Sequence, residues 1–408
     1  MRLLYVANNY PDYIQKLYSS HSGLDCKPYL DQRAVLDAEA FGWNGAWASA
    51  LSPLGYEFFE IDANVKPLQR AWMNERGANW PELTWTTAVP MLQAEAFQPD
   101  ILLISTPRTH DVAWLQALRG KCPSLRLILG WSGSPCEEFD VLRHYDRVLS
   151  CSDFILEKYR KQGCRTAFLR HAFNRKVLDH LPLHVDIDNV VAFAGNIARG
   201  NGYHLERERL LEGIVENLPV DLYSPQVRLR PSSDFLDTAL RITVYCAMRA
   251  LRAVGIPQKI RRSIPLIGKA ATWQSVPLFQ VNRRLRPRMK EPVFGLNMYR
   301  TLQKAAVALN NHIDCAGPDA ANQRLFEATG VGSCLLTDFK TNLHEMFELD
   351  RQVVAYSSLE ECVEKGRWLL DHPRERAQIA AAGQARTLRE HTFEHRAVEL
   401  DALIRKLI

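Results

Sequence analysis

The chain has 408 residues, of which 47% are hydrophobic and 24% charged, and this composition is typical of a globular protein with more than one core. No apolar run approaches the ~18 residues of a membrane-spanning helix. The apolar segment after Met1 is no longer than a strand, so we expect no secretory signal. The nine cysteines are scattered without a Cys-x-x-Cys pair, which indicates a reducing cytoplasm and argues against a disulfide framework and a structural zinc site.

The net charge of +5 is unevenly distributed along the chain. Residues 226–290 contain fourteen lysines and arginines but two acidic residues, so this segment has a charge of +12 and the remainder about −7. We interpret the segment as a basic insertion in an otherwise slightly acidic protein.

The first half of the sequence alternates short apolar runs with helical patterns, which predicts a parallel, doubly wound α/β sheet. Ligands of such sheets bind beyond the carboxyl ends of the strands. Polar clusters follow these ends at Asn8–Asn9, His110, Ser132 and His171, although a single histidine after a strand is more often structural than functional. We expect strands at Arg2–Ala7, 56–61, 101–104, 125–129, 147–150 and 167–169, with helices at 31–51 and 112–118.

A polar, proline-containing stretch at 179–188 predicts the boundary between two domains. The limits we expect are 1–183 for the first domain and 184–375 for the second, which contains the basic insertion. Beyond the insertion we expect a helix up to residue 304, a strand at 352–356, and helices at 359–370, 373–389 and 393–408.

The second domain opens with a predicted strand at 190–195 that leads into Gly195 and Asn196. The glycine-rich turn behind it is neither a P-loop nor a dinucleotide fingerprint. Arg199 or Arg207 is a candidate contact for a diphosphate, with a solvated helix face as the equally simple alternative.

Within the basic insertion, apolar residues recur through 240–254 at the spacing of one helical stripe, flanked by Arg241, Arg249 and Arg252. An apolar stripe with cationic flanks suits an interfacial helix on anionic lipid. An ordinary helical insertion with its arginines in solvent explains the pattern equally well. Nucleic acid is the third alternative, but no stacking motif supports it.

The stretch 307–338 reads as strand, polar loop, short helix, glycine-rich turn and strand. Asn310 and His312 follow the first strand, and Asn322 begins the helix. Unpaired amides and the helix dipole favour an anion at such a helix start. Glu327, one turn inside the helix, can accept hydrogen bonds from sugar hydroxyls. The stretch therefore predicts half of a nucleotide-sugar site.

Several segments of the second half together resemble one family, the GT-B glycosyltransferases, and within it the CgeB-like branch of spore-maturation and related sugar transferases. The matching segments are Phe193-Ala-Gly-Asn196, Pro292-Val-Phe-Gly-Leu-Asn-Met-Tyr299, Val307-Ala-Leu-Asn310 with His312, Asn322-x-Arg324-x-Phe-Glu327-Ala, Gly330-x-Gly332 and the tail Ala382-Gly-Gln-x-Arg386 with His391-Thr-Phe-x-His395-Arg396.

The resemblance implies two Rossmann-like domains that face a cleft, with the nucleotide diphosphate sugar on the second and the acceptor on the first. It also implies that helices in 376–408 return to the first domain. Related retaining members have a Glu-x7-Glu pair whose second glutamate binds the ribose, and Glu327 matches it, whereas Asp319 replaces the first. Trp131 stands where many members have a histidine, so His110 becomes the candidate catalytic histidine.

The resemblance thus implies a metal-independent, retaining hexosyltransferase without a cofactor that uses a nucleotide diphosphate sugar, with UDP as the favoured nucleotide. Arg199 and Arg324 would neutralise charge on the departing phosphate. The donor pocket would be lined by Gly195, Asn196, Arg199, Asn310, His312, Asn322, Arg324 and Glu327, and the catalytic group would comprise His110, Arg324 and Glu327.

The expected acceptor is a glycan, a protein or a lipid-linked molecule, in keeping with a role in bacterial surface glycan synthesis. We expect a cytoplasmic protein with peripheral membrane contact through 226–290 and without nucleic acid. Two other functions stay open, namely a non-catalytic nucleotide-sugar-binding or scaffold protein and a sugar epimerase on the same fold.

Overall fold

The computed structural model describes residues 1–136, 138–197, 205–228, 231–273, 276 and 282–408. Its first half contains six strands: β1 (Arg2–Ala7), β2 (Glu57–Asp62), β3 (Ile101–Ile104), β4 (Leu127–Trp131), β5 (Arg147–Ser150) and β6 (Thr166–Phe168). Its helices are α1 (Pro11–Ser20), α2 (Tyr29–Glu39), α3 (Ala46–Leu51), α4 (Lys66–Asn74), α5 (Trp85–Phe97), α6 (Val112–Lys121), α7 (Phe139–Leu142) and α8 (Asp153–Lys161).

These strands form one parallel sheet, here called the first sheet, in the order β2-β1-β3-β4-β5-β6. All four residues of β3 are buried, as expected for a strand covered on both faces. One face of the sheet packs against α3, and the other packs against α5, α6 and α8.

The second half contains β7 (Asp188–Ala194), β8 (Val220–Tyr223), β9 (Met289–Lys290), β10 (Ala305–Asn310), β11 (Cys334–Asp338) and β12 (Val354–Tyr356). These strands form the second sheet, which is also parallel, in the order β12-β11-β10-β7-β8-β9. Its helices are α9 (Leu205–Asn217), α10 (Pro231–Ala253), α11 (Gln258–Arg262), α12 (Gly295–Lys304), α13 (Arg324–Gly330), α14 (Leu359–Asp371), α15 (Pro373–Glu390) and α16 (Phe393–Leu407). The predicted pair of doubly wound parallel sheets is therefore confirmed.

The last two helices pack on different halves of the protein. α15 lies against α13 and β11 of the second half, whereas α16 crosses to α3 and covers the first sheet. Phe173, which follows β6, and Thr392, which lies between α15 and α16, form a parallel bridge. The domain limits 1–183, 184–375 and 376–408 stay a prediction. No helix in the described part of the chain is both long enough and apolar enough to cross a membrane.

Three local predictions were wrong. The helix expected at 31–51 is broken, because Ala40, Gly42 and Gly45 adopt left-handed backbone conformations between α2 and α3. β4 begins two residues later than expected, so Trp131 belongs to the strand. The segment 226–290 is not wholly an insertion, because β9 pairs with β8 at the edge of the second sheet.

Candidate functional site

The carboxyl end of β10 is connected to its surroundings through Asn310, a buried residue. Its Nδ2 donates to Thr337 Oγ1 at 2.9 Å, and its Oδ1 accepts from Asn322 Nδ2 at 2.6 Å. Its carbonyl oxygen accepts a hydrogen bond from the Tyr356 hydroxyl at 2.9 Å. Because these groups are engaged within the protein, Asn310 positions the loop before α13.

Arg324 and Glu327 form an ion pair of 2.8 Å within α13, between Nη1 and Oε2. Arg324 also donates to the carbonyl of Ala194 at 3.1 Å and contacts the Met298 sulfur at 2.8 Å. The pair therefore lies beside Gly195, at the carboxyl end of β7. Burial raises the pKa of Glu327, and the Arg324 charge offsets this only in part.

Arg207, on α9, is a buried cation at the same edge of the sheet, with 8% of its surface exposed. It donates to the carbonyls of Asn196 at 2.8 Å and Asn311 at 2.6 Å. Among the described residues it forms no ion pair with a carboxylate. Burial lowers its pKa to about 10, while Asp338 and Asp314 act in the opposite direction. The guanidinium is thus charged at neutral pH and desolvated, and its Nε also donates to Asn311 Oδ1 at 3.4 Å. These three hydrogen bonds use three of its five N–H groups.

His312 is held by Asp338, whose Oδ1 accepts from the His312 backbone N–H at 2.9 Å and lies 2.7 Å from Nδ1. Nε2 of His312 is buried and has no hydrogen-bond partner among the described residues. Lys340 lies 3.4 Å from Asp338. Burial raises the pKa of Asp338, but His312 and Lys340 together outweigh that effect and lower it. The ring is oriented through Nδ1, and its other nitrogen is left buried without a partner in the described part of the chain.

The first half contributes Tyr10, which follows the carboxyl end of β1. The surrounding protein and the Glu327 carboxylate raise the pKa of Tyr10, with Arg324 opposing, although 69% of the side chain is accessible. Close by, Gln323 Nε2 donates to the carbonyl of Gly42 at 2.9 Å. Residues of both halves of the protein therefore meet around Glu327.

Asp319 also joins the two halves. Its Oδ2 accepts from Ser152 Oγ at 2.8 Å and from the Phe154 backbone N–H at 2.9 Å, at the start of α8. This carboxylate occupies the first position of the Glu-x7-Glu pattern, yet here it binds the opposite half of the protein.

His110 lies outside this group of contacts. Its ring stacks on Trp114 with centroids 4.0 Å apart, and neither ring nitrogen has a hydrogen-bond partner among the described residues. Burial lowers its pKa to about 4, as it does for His171 and His391. His110 is therefore neutral at pH 7, and its catalytic role stays a prediction.

The structure brings together most of the predicted donor residues: Gly195, Asn196, Asn310, His312, Asn322, Arg324 and Glu327. Arg199, also predicted, lies outside the described residues. Their role in donor binding is still a prediction.

Sequence reasoning did not select Arg207 over Arg199, and it missed Tyr10, Asp338 and Lys340. The available signal for Tyr10 and Asp338 was their position at or just after the end of a strand. No group of three or more His, Cys, Asp or Glu side chains in the described ranges is placed to hold a metal ion.

Residues 242–402, from α10 into α16, match the family model of glycosyl transferase-like domains. No curated protein matches the sequence as a relative.

Solved structures resemble the whole chain. HepE of Anabaena in complex with UDP-glucose superposes with a TM-score of 0.54 at 11% identity, covering 100% of both chains. Sucrose-phosphate synthase of Thermosynechococcus elongatus gives a TM-score of 0.52 at 12% identity, covering 100% of this chain and 98% of that one. A glycosyltransferase of Rickettsia africae gives 0.52 at 9% identity, with the same coverage.

At these identities the likeness concerns the fold, and the predicted GT-B architecture is confirmed. The chain thus has the GT-B fold, and residues 242–402 are similar to glycosyl transferase-like domains.

Proposed function

We propose that the protein is a glycosyltransferase that transfers a sugar from a nucleotide diphosphate sugar to an acceptor. The observation that supports this most directly is the buried Arg207 guanidinium, which has no carboxylate partner among the described residues, at the carboxyl ends of β7 and β10. The GT-B fold and the glycosyl transferase-like match over 242–402 support the same function. UDP is the proposed donor nucleotide, since HepE, which shares the fold, binds UDP-glucose.

Each cleft residue has a proposed contact with the donor. Arg207 and Arg324 would face the diphosphate, because both are cations at the end of β7. Glu327 would accept hydrogen bonds from the ribose hydroxyls. His312 would offer its free Nε2 to the donor.

In the proposed reaction the bond between the sugar anomeric carbon and the β-phosphate oxygen breaks, and the acceptor oxygen bonds to that carbon. Negative charge then develops on the departing phosphate. Preorganised cations stabilise such charge strongly in a water-poor cleft. Arg207, Arg324 and Lys340 would provide this stabilisation without a metal. In the retaining course that we propose, the departing phosphate oxygen takes the acceptor proton on the same face of the sugar.

The narrower assignments follow from the sequence resemblance. We place the protein in the CgeB-like branch, with a hexose as the transferred sugar and cytoplasmic synthesis of a bacterial surface glycan as its role. The acceptor is a glycan, a protein or a lipid-linked molecule that enters from the side of the first sheet.

The test is release of UDP from a panel of UDP-sugars by the purified protein, with and without a chelator of divalent cations. Glu327→Gln and Arg324→Lys are expected to lower kcat/KM at least tenfold. The first removes a negative charge, and the second keeps the positive charge but removes the planar guanidinium that pairs with Glu327 and donates to the Ala194 carbonyl. Arg351→Ala is the matched control, since Arg351 and Glu348 form an exposed pair with the same i,i+3 spacing at 2.7 Å. Unchanged turnover in the first two variants would contradict the site assignment.

A second candidate function is donor binding without turnover. The observation that favours it is Asp319, whose carboxylate binds Ser152 and Phe154 rather than facing a donor sugar. Saturable UDP-sugar binding without UDP release, with acceptors of all three kinds present, would support this function over the transferase.

A further inference from the structure

α10 presents a broad uncharged face to solvent. With 3.6 residues per turn, eleven of the residues from 235 to 254 project from the helix axis within one sector about 160° wide. This sector contains no charged residue, and its large members are Phe235, Leu236, Leu240, Ile242 and Val254, which are 44–77% exposed. Cys246 on the same face is also exposed. Exposed apolar surface of this extent is rare on a monomeric protein unless it contacts a partner.

The opposite face of α10 is fixed to the protein. Val244, Met248 and Leu251 pack with Ala270 and Ala271 of the same insertion. The insertion is connected in turn to α9, where Asn282 donates to Glu208 at 2.6 Å. A second contact joins Arg262 to Glu138 of the first half at 3.5 Å. The exposed face therefore belongs to a helix held by the fold.

The charge nearest to this face is positive, which indicates an anionic partner. On the helical wheel Arg249 lies about 20° beyond one edge of the face, and Arg252 lies about 80° beyond the same edge. Arg249 and Arg252 are exposed and form no ion pair with any described residue. The surrounding segment 226–290 has a net charge of +12. A helix with one apolar face and a cationic border is the arrangement that binds the surface of an anionic bilayer, with the apolar side chains between the headgroups.

We propose that α10 docks the protein on an anionic membrane surface. The apolar face enters the headgroup region, Arg249 at its edge contacts lipid phosphates, and Arg252 adds positive charge near the membrane surface. Phe235 is the only aromatic side chain in the sector, so the face lacks the repeated stacking surface that single-stranded nucleic acid requires.

Docking through α10 would bring the candidate site close to the bilayer. Gln226, just before α10, accepts a hydrogen bond from the Ile197 backbone N–H at 3.1 Å and donates to Asn196 at 2.8 Å, at the carboxyl end of β7. If the proposed transferase function holds, a lipid-linked acceptor reaches the cleft from this surface. The docking itself does not depend on that function.

Vesicle flotation of the full chain tests the proposal. We expect binding to phosphatidylcholine vesicles with about 30% phosphatidylglycerol, and at least tenfold weaker binding to pure phosphatidylcholine, given the contribution of each arginine near an anionic surface. Added salt should weaken the binding to anionic vesicles.

Two double variants and their controls separate the apolar from the charged contribution. Leu236→Asp/Leu240→Asp and Arg249→Glu/Arg252→Glu are each expected to reduce binding at least tenfold. Leu83→Asp is the control for the first, because Leu83 is an almost fully exposed leucine of the first half. Arg367→Glu/Arg374→Glu, at exposed sites on α14 and α15, is the control for the second.

A fluorescence measurement checks which surface enters the bilayer. An environment-sensitive maleimide on Cys246, in a Cys26→Ser background, should shift its emission to shorter wavelength on anionic vesicles. The same label on the exposed Cys26, in a Cys246→Ser background, should not shift.

Equal binding to neutral and anionic vesicles would overturn the proposal, and so would controls as impaired as the α10 variants. A dimer in light scattering that Leu240→Asp dissociates, without vesicle binding by the wild type, would assign the face to a second copy of the chain. Flotation is independent of turnover, so its failure would leave the transferase function untouched.

Discussion

Replacing Arg207 by methionine separates ligand binding from structural support. Methionine keeps most of the length of the side chain but removes the charge and the donors. In the free protein the guanidinium donates to the carbonyls of Asn196 and Asn311, and it is 8% exposed. Water can replace the first of these contacts, because Asn196 is exposed.

Two opposing energies should leave the stability of Arg207→Met nearly equal to that of the wild type when no ligand is bound. Burial lowers the pKa of Arg207 from the ordinary arginine value to about 10, which corresponds to about 3 kcal/mol against the charged form in the folded state. Both pKa values lie above 7, so this cost is fully present at neutral pH. Hydrogen bonds to a charged group contribute about 1.5–3 kcal/mol each and offset it. We expect the free energy of unfolding to change by less than about 2 kcal/mol.

With UDP bound the balance changes, because the diphosphate would pair with this cation. Loss of one bidentate phosphate contact, about 3 kcal/mol, corresponds to a roughly hundredfold weaker affinity. At a UDP concentration of 100 Kd the wild type gains about 2.7 kcal/mol, whereas the variant, then near its own Kd, gains about 0.4 kcal/mol.

Thermal unfolding with and without UDP measures both effects. The wild type should gain several degrees in Tm, and Arg207→Met should show an almost unchanged Tm alone and little response to UDP. Arg376→Met is the matched control, because burial lowers the pKa of Arg376 too and this arginine donates to the Leu369 carbonyl away from the cleft. A variant that is strongly destabilised alone but keeps the full response to UDP would refute the reasoning.

Three further predictions concern protonation and packing. Because burial raises the pKa of Glu327, turnover should fall on the acid side at a pH above the ordinary glutamate range, and a kcat/KM profile of Glu327→Gln should lack this fall. His110 has a pKa of about 4 in the folded protein against 6.5 in the unfolded chain, so the unfolded state binds more protons between these pH values. The free energy of unfolding therefore falls as the pH drops through this range, and the loss at pH 5.5 is about 1.4 kcal/mol. Urea unfolding of His110→Gln should show a shallower pH dependence than that of the wild type. Gly330→Ala would bring Cβ to 2.4 Å from the buried Phe173 ring, so urea unfolding should show about 1–3 kcal/mol of destabilisation, whereas Gly120→Ala, with open space around it, should show none.

Most strands followed from the sequence because a parallel sheet covered on both faces requires continuous apolar runs. Ile101–Ile104 and Cys334–Asp338 lie where their apolar patterns indicate. The helix expected at 31–51 shows the limit of this argument. Its apolar spacing continues across the break, but Gly42 and Gly45 turn the chain with positive φ angles, and these glycines were the available signal.

The site was less predictable, because its contacts join distant parts of the sequence. Asp319 binds Ser152, 167 positions away, and no local pattern indicates that pairing. Similarly, Arg207 is distinguished by its burial against Asn196 and Asn311, which depends on the direction in which α9 leaves the sheet. Strand ends indicate where a ligand binds, whereas packing of the two halves decides which side chains face it.

The most direct test of the account is isothermal titration of the purified protein with UDP. We predict saturable binding of one UDP per chain, much weaker in Arg207→Met and Glu327→Gln and unchanged in Arg351→Ala. The absence of saturable binding by UDP and by the other common nucleoside diphosphates, in a protein with a normal unfolding transition, would contradict a nucleotide-sugar site at the carboxyl ends of the second sheet.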